Sequence, residues 1–299
     1  MRTTRTVPAF CAAAILTALT VSGCGQPSNG SPPTGSLPIG SPATSAGSAA
    51  VEVTVPVYYL GEERIWREVD LQPVDRIRLY REFHKVAAGD GRYQAKTAAA
   101  IAAMLDEGSA FDPDYSSGWP AAASLRDVSI DGDTVTVNLG GAATNSVGAE
   151  SAQQAVQQLV WTATAASGKS GVRLLLDGEP VKELWGHVSV GGVLQRAAPL
   201  GTIALVWLID PQHGATVPST FTVHVSGAVY ESTMYLRVRQ GDQAVSQTFV
   251  NVTSDSESRF GEAKTTMTLP PGTYTIEAYG ESAVGVGVTA LDDHTITVR

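Results

Sequence analysis

Along the 299-residue chain the apolar positions change their period several times. Val53-Thr-Val-Pro-Val-Tyr-Tyr-Leu60 and Arg76-Ile-Arg-Leu-Tyr-Arg-Glu-Phe83 alternate and read as strands, and Pro56, with no N–H to give, suits an edge. From Gln94 to Glu107 the period becomes helical, with Ala98, Ile101, Ala102 and Leu105 on one face and Gly108 as the expected C-cap. Leu125–Asp131 and Asp133–Leu139 alternate again about Gly132, which predicts a tight hairpin. Glu150 to Ala166 is a second amphipathic helix, with Ala152, Val156, Leu159, Val160 and Ala163 together, and Val172–Leu176 is a strand. The unit over residues 51–199 is therefore α+β.

The remainder, 200–299, has no helical period. Seven short strands are predicted at Ile203–Ile209, Phe221–Ser226, Met234–Gln240, Ala244–Val252, Ala263–Leu269, Thr273–Tyr279 and His294–Val298. Gly, Pro, Asp and Ser separate them, the spacing of an all-β sandwich. Tyr274, just after the turn Pro270-Pro271-Gly272, suits a tyrosine corner, with Ile276 where an antibody domain carries cysteine. The connection, 196–202, is short.

Hydrophobic residues at 43% and charged residues at 16% supply two cores, and the apolar runs are too scattered for a polytopic membrane protein. The balance of 20 Lys+Arg against 29 Asp+Glu, net −9, has the wrong sign for holding nucleic acid through its phosphates, so no nucleic-acid partner is expected.

Arg2 and Arg5 precede an apolar stretch, Val7 to Val21, that is too short to span a bilayer but suits a secretory signal. It ends Val21-Ser22-Gly23-Cys24, which resembles a bacterial lipobox. The resemblance implies removal of a signal peptide, 1–23, and a diacylglycerol on the Cys24 sulfur at the extracytoplasmic face of the cell membrane. Each buried methylene contributes about 0.8 kcal/mol, so two or three acyl chains give stable retention. Cys11 leaves with the signal and Cys24 is acylated, so no thiol remains for a disulfide or a thiolate metal site. The segment 24–50 carries no charge and no aromatic residue, and is expected to be a disordered tether reaching on the order of 25–30 Å.

Within 51–199 the residues resemble a known family. A helix, Trp119-Pro120, Val128-Ser-Ile-Asp-Gly-Asp-Thr-Val-Thr-Val-Asn-Leu139, Ser151-Ala-Gln-Gln-Ala-Val-Gln-Gln-Leu-Val160 and Val172-Arg-Leu-Leu-Leu-Asp-Gly178 stand in the order of the GerMN domain of sporulation and germination lipoproteins. Trp119 stands where that family commonly has an aliphatic residue. The resemblance implies a small sheet with covering helices, similar to ring-building domains of sporulation complexes, and no catalytic residues. In the second unit, Ile209-Asp-Pro-Gln-His-Gly-Ala-Thr-Val-Pro218 and Val225-Ser-Gly-Ala-Val-Tyr-Glu231 resemble the immunoglobulin-like domain of bacterial spore germination, with Tyr230 where Phe is commoner.

Candidate chemistry is sparse. Ala163-Thr-Ala-Ala-Ser-Gly-Lys-Ser170 imitates a phosphate loop, but a helix precedes it and a strand follows, the reverse of what phosphate binding needs, so no nucleotide is expected. His84, His187, His213, His224 and His294 lack zinc-ligand spacing and read as surface or strand-end residues, so neither a metal nor another cofactor is assigned. The acid pairs Asp112/Asp114, Asp131/Asp133 and Asp292/Asp293 read as turn chemistry rather than as catalytic carboxylates. Arg76, Arg78 and Arg81, with His84 and Lys85, form a basic run in an acidic molecule that could contact an anionic partner, against the plainer reading of a solvated, ion-paired strand face. Tyr58, Tyr59, Trp66 and Trp119 could line a groove or pack a core.

These readings predict a lipid-anchored, extracytoplasmic, non-enzymatic protein that binds or scaffolds an envelope protein or wall polymer, in a sporulation- or germination-related family. The alternatives are a cell-wall glycan or peptide hydrolase, which convergent acids or a Ser/His pair in one concave pocket would favour, and a sensor-associated small-ligand-binding lipoprotein, which a sizeable apolar pocket between the two units would favour.

Overall fold

The computed structural model describes residues 51–66, 73–253, 260–281 and 287–299. The signal 1–23, Cys24 and the tether up to residue 50 lie outside the described residues, and nothing is shown of the side chain of Trp66.

The chain begins with a long antiparallel ribbon, β1 (Glu52–Trp66) and β2 (Pro73–Ala87), which extends both predicted strands and pairs Tyr59 with Tyr80 and Leu60 with Leu79. Both strands of this two-stranded ribbon are edges, so Pro56 costs no ladder bond. Successive side chains take opposite faces. Val55, Val57 and Tyr59 enter the core of the first domain, whereas Tyr58, Leu60 and Leu79 enter a cluster shared with the second.

Helix α1 (Tyr93–Leu105) ends two residues earlier than predicted, because Asp106 is already extended; Gly108 lies beyond the helix end. β3 (Ser124–Asp131) and β4 (Thr134–Gly140) form the expected hairpin about Gly132. α2 (Ala149–Ser167) then crosses over to β5 (Gly171–Leu176), which lies parallel to β4. Gly168 closes α2 in the left-handed conformation, its N–H bonded to the Thr164 carbonyl. Asp177 and Gly178, both at positive φ, turn β5 into the short β6 (Glu179–Pro180), as a type I′ hairpin requires. Three two-residue strands follow, β7 (Glu183–Leu184), β8 (Val188–Ser189) and β9 (Leu194–Gln195), and a single turn, α3 (Pro199–Thr202), makes the connection.

The glutamines of α2 explain why so polar a helix is buried. Gln158 Nε2 donates to the Tyr58 carbonyl at 3.0 Å while its Oε1 accepts the Gly118 N–H at 2.9 Å, and Gln157 Oε1 accepts the Ala197 N–H at 2.8 Å. Each side chain satisfies backbone groups that no sheet reaches. A Cβ at Gly118 would stand 2.7 Å from Leu60 and 3.1 Å from Ala155, so only glycine lets this loop approach α2.

The second domain is a sandwich. One sheet contains β10 (Val206–Asp210), β12 (Thr220–Gly227) and β15 (Gly261–Thr268). The other orders β11 (Thr216–Val217), β17 (Val288–Val298), β16 (Gly272–Glu281), β13 (Thr233–Gln240) and β14 (Gln243–Asn251), with β11 parallel to β17 and the other pairs antiparallel. Val223, Met234, Leu236, Ile276 and Ile296 fill the space between, and Tyr274 is buried with them. All seven predicted strands are present. The last begins at Val288 rather than His294, so Asp292 and Asp293 lie inside a strand and not in a turn before it.

Candidate functional site

The strongest concentration of buried polar groups lies where the two domains meet. Leu79 makes an isolated parallel bridge to Ile203, and its carbonyl accepts the Ala204 N–H at 3.1 Å. Tyr58, Leu60, Leu79, Trp161, Ile203 and Trp207 bury the apolar part of the contact. Glu63, 1% exposed, accepts the Leu205 N–H across it and stands 3.6 Å from Arg78; burial raises its carboxyl above the ordinary value.

On one side of this apolar strip sits an acid–histidine cluster. Its framework is Glu82, 1% exposed, which accepts the N–H groups of Phe111 and Asp112, both at 3.0 Å, and lies 2.8 Å from His84 Nε2. Glu82 thereby fixes the 109–116 loop and presents Asp112 to the sandwich. Asp112 Oδ2 faces His213 Nδ1 at 3.3 Å and His294 Nε2 at 3.6 Å. Asp292 completes the group, accepting the Tyr115 O–H at 2.8 Å and the Leu208 N–H at 2.7 Å. Burial pushes the Asp292 carboxyl up to about 6, against the opposing pull of His294 and of those two donors. Asp112, Asp292 and His294 are all buried, and one ligand atom from each lies within 4.8 Å of the others, a set able to hold a metal ion.

On the other side is an open cleft of about 560 Å³ between the domains. Tyr58, Trp161, Trp207 and Phe260 form its aromatic wall, and Arg81 and Arg196 supply its positive charge. The Arg196 guanidinium lies 4.4 Å from the centre of a Trp161 ring, and that of Arg81 lies 5.1 Å from Phe83 and 5.9 Å from Trp207. The indole N–H groups of Trp161 and Trp207 are buried and have no acceptor among the described residues. Glu262 pairs with Arg81 at 2.6 Å and with His224 at 2.9 Å; these bonds, His224 first, pull its carboxyl down to about 2.

The structure separates the predicted basic run. Arg76 and Arg78 point to the ribbon face that carries Glu63, and Arg81 to the opposite one. Arg76 is exposed, Arg78 is buried against Glu63, and Arg81 lines the cleft with Arg196, a residue the sequence did not single out. The histidines divide likewise: His84, His224 and His294 are buried, which corrects their reading as surface positions, and His213 joins His294. The phosphate-loop imitation is the C-terminal turn of α2, as expected. Asp131 and Asp133 flank a hairpin turn, but Asp112 and Asp292 are brought together from sequence positions 180 residues apart, and no local signal could reveal that. Trp119 packs in the first core, its indole donating to the Ala155 carbonyl at 3.0 Å, and Tyr59 is in that core as well.

Among the described residues no helix is long and apolar enough to cross a membrane. Residues 56–182 match the Germane family, described as sporulation and spore germination, and residues 205–286 match the immunoglobulin-like domain of bacterial spore germination. Neither description names an enzymatic activity. The first GerMN domain of the Bacillus subtilis sporulation protein GerM is 19% identical, covering 48% of this chain and 98% of that one with a TM-score of 0.35. The tandem GerMN domains of the same protein are 15% identical, covering 52% of this chain and 50% of that one with a TM-score of 0.34. A candidate lipoprotein of Clostridium perfringens is 17% identical, covering 48% of this chain and 87% of that one with a TM-score of 0.31. No curated protein matches the chain. The chain thus joins a GerMN-like domain to a spore-germination-type immunoglobulin-like domain.

Proposed function

We propose that this germination-related protein is anchored by an acylated Cys24 at the extracytoplasmic face of the cell membrane and acts without catalysis, holding an anionic envelope polymer at the junction of its two domains. The observation that carries the reading is the cleft between the domains, where the guanidinium groups of Arg81 and Arg196 stand over a wall formed by Tyr58, Trp161, Trp207 and Phe260. Anionic substituents of a polymer lying in the cleft meet the guanidinium groups, which the rings beneath them hold in place. The anchor rests on the Val21-Ser22-Gly23-Cys24 sequence.

The hydrolase alternative is the weaker one. Acids do converge, but Asp112 and Asp292 are 3% and 7% exposed and carry oxygens within 4.8 Å of one another. Paired glycosidase carboxyl groups stand about 5 Å or more apart and open to the sugar.

Two measurements test the proposal. Cys24→Ala is expected to move the protein from the membrane fraction to the medium; unchanged retention removes the anchor. The full chain is expected to sediment with purified anionic wall polymer, and Arg196→Glu to reduce the bound fraction at least tenfold at low salt. Equal capture of both proteins removes the cleft from the reading.

A further inference from the structure

Domain docking alone leaves the arrangement around Asp112 unexplained. His294 Nδ1 lies 2.7 Å from the Pro211 carbonyl, which can only accept, so this nitrogen carries the hydrogen. In the neutral ring Nε2 is then a bare acceptor. The residue is 1% exposed, Nε2 has no hydrogen-bond partner among the described residues, and it faces Asp112 Oδ2 at 3.6 Å. His213 Nδ1, also without a hydrogen-bond partner among the described residues, stands 3.3 Å from the same oxygen. Electron-rich atoms gathered in a buried space require a positive charge among them.

The surrounding groups are ordered as those of a ligand set. Asp292 is held by the Tyr115 hydroxyl and the Leu208 amide, Asp112 Oδ1 accepts the Asp114 N–H at 2.8 Å, and His294 is oriented by Pro211. Outer hydrogen bonds of this kind orient metal-binding carboxylates and imidazoles. Zinc bonds of about 2.0–2.2 Å place tetrahedral donors about 3.3–3.6 Å apart, and the 3.6 Å between His294 and Asp112 already matches. A cleft of about 300 Å³, lined by Glu62, Asp114 and Asp293 as well as Asp112 and Asp292, leads to the cluster. Its carboxylates would concentrate cations.

We propose that Asp112, Asp292 and His294, with His213 as a fourth donor, bind one divalent first-row transition ion of the zinc type. Mixed imidazole and carboxylate donors suit such an ion better than calcium or magnesium, which take oxygen. Asp112 belongs to the first domain and the other donors to the sandwich, so the ion would tie the two together. The inference stands apart from polymer capture, which does not enter its test.

The purified full chain is stripped with a chelator and titrated with Zn²⁺ and, separately, Co²⁺. One zinc per chain is expected to survive gel filtration by elemental analysis, and cobalt to give a visible absorption band that zinc abolishes. Asp112→Asn is expected to abolish retention, and Tyr115→Phe, which frees one Asp292 oxygen, to weaken zinc binding by about 10–100-fold. If Asp112→Asn fails to fold, Tyr115→Phe decides. Absence of retained zinc in the wild-type chain overturns the proposal and leaves a protonated His294 paired with Asp112. Equal binding by the wild type and the folded variants overturns it by placing the ion elsewhere, and displacement by equimolar Ca²⁺ or Mg²⁺ overturns the choice of metal.

Discussion

The two flanks of the domain junction use the same classes of side chain and reach opposite states. On one, Glu82, Asp112, Asp292 and His294 are withdrawn from water and fixed by backbone amides, a hydroxyl and a carbonyl. On the other, Arg81, Glu262 and His224 meet at the rim of an open cleft, where Glu262 remains about half exposed. A charge enclosed with few degrees of freedom contributes through geometry and is costly to disturb. A charge at a wet rim contributes little to stability and remains available to a partner. The difference is why ion binding is proposed for the first flank and recognition for the second.

The comparison breaks most readily at Glu82. Glu82→Ala leaves the Phe111 and Asp112 amides without acceptors, and is expected to cost about 3–5 kcal/mol in urea unfolding. A loss below about 1 kcal/mol would mean that the loop is not held as described. Arg196→Ala, on the open flank, is expected to change stability by no more than about 1 kcal/mol, while polymer capture falls. The smallest effect is a pH dependence at Glu262. Its folded pKa, about 2, lies below the ordinary 4.5, so its contribution is fully present above about pH 4.5 and lost as the pH falls towards 2. Stability curves of the wild type and Glu262→Gln should therefore converge over that interval; a constant gap would contradict the pairing with His224.

Much of the fold was legible because periodicity is local. Ala98, Ile101 and Leu105 marked α1, and the alternation about Gly132 marked the hairpin. The helix end was misplaced because Gly108 looked like a cap while the backbone straightened at Asp106. The site was far less legible. Asp292-Asp293 resembles a turn dipeptide, and nothing nearby signals that β17 runs through it or that Tyr115 waits 177 residues earlier to receive one carboxylate. The basic run misled in the other direction: closely spaced arginines on a strand appear as one patch, yet the two-residue period sends Arg81 away from Arg76 and Arg78.

The ribbon at the start of the chain has a consequence for where this molecule can be divided. Its residues enter the core of the GerMN-like domain, the shared cluster and, through Ile65, the edge of the sandwich core. A cut at residue 199 would respect the sequence families yet strip Leu79 and Trp161 of their cover and leave the sandwich without the strand end it packs on. Evolution could shuffle these modules as cassettes only by carrying along a fitted seam, so inheritance of the pair as a single piece is the cheaper course.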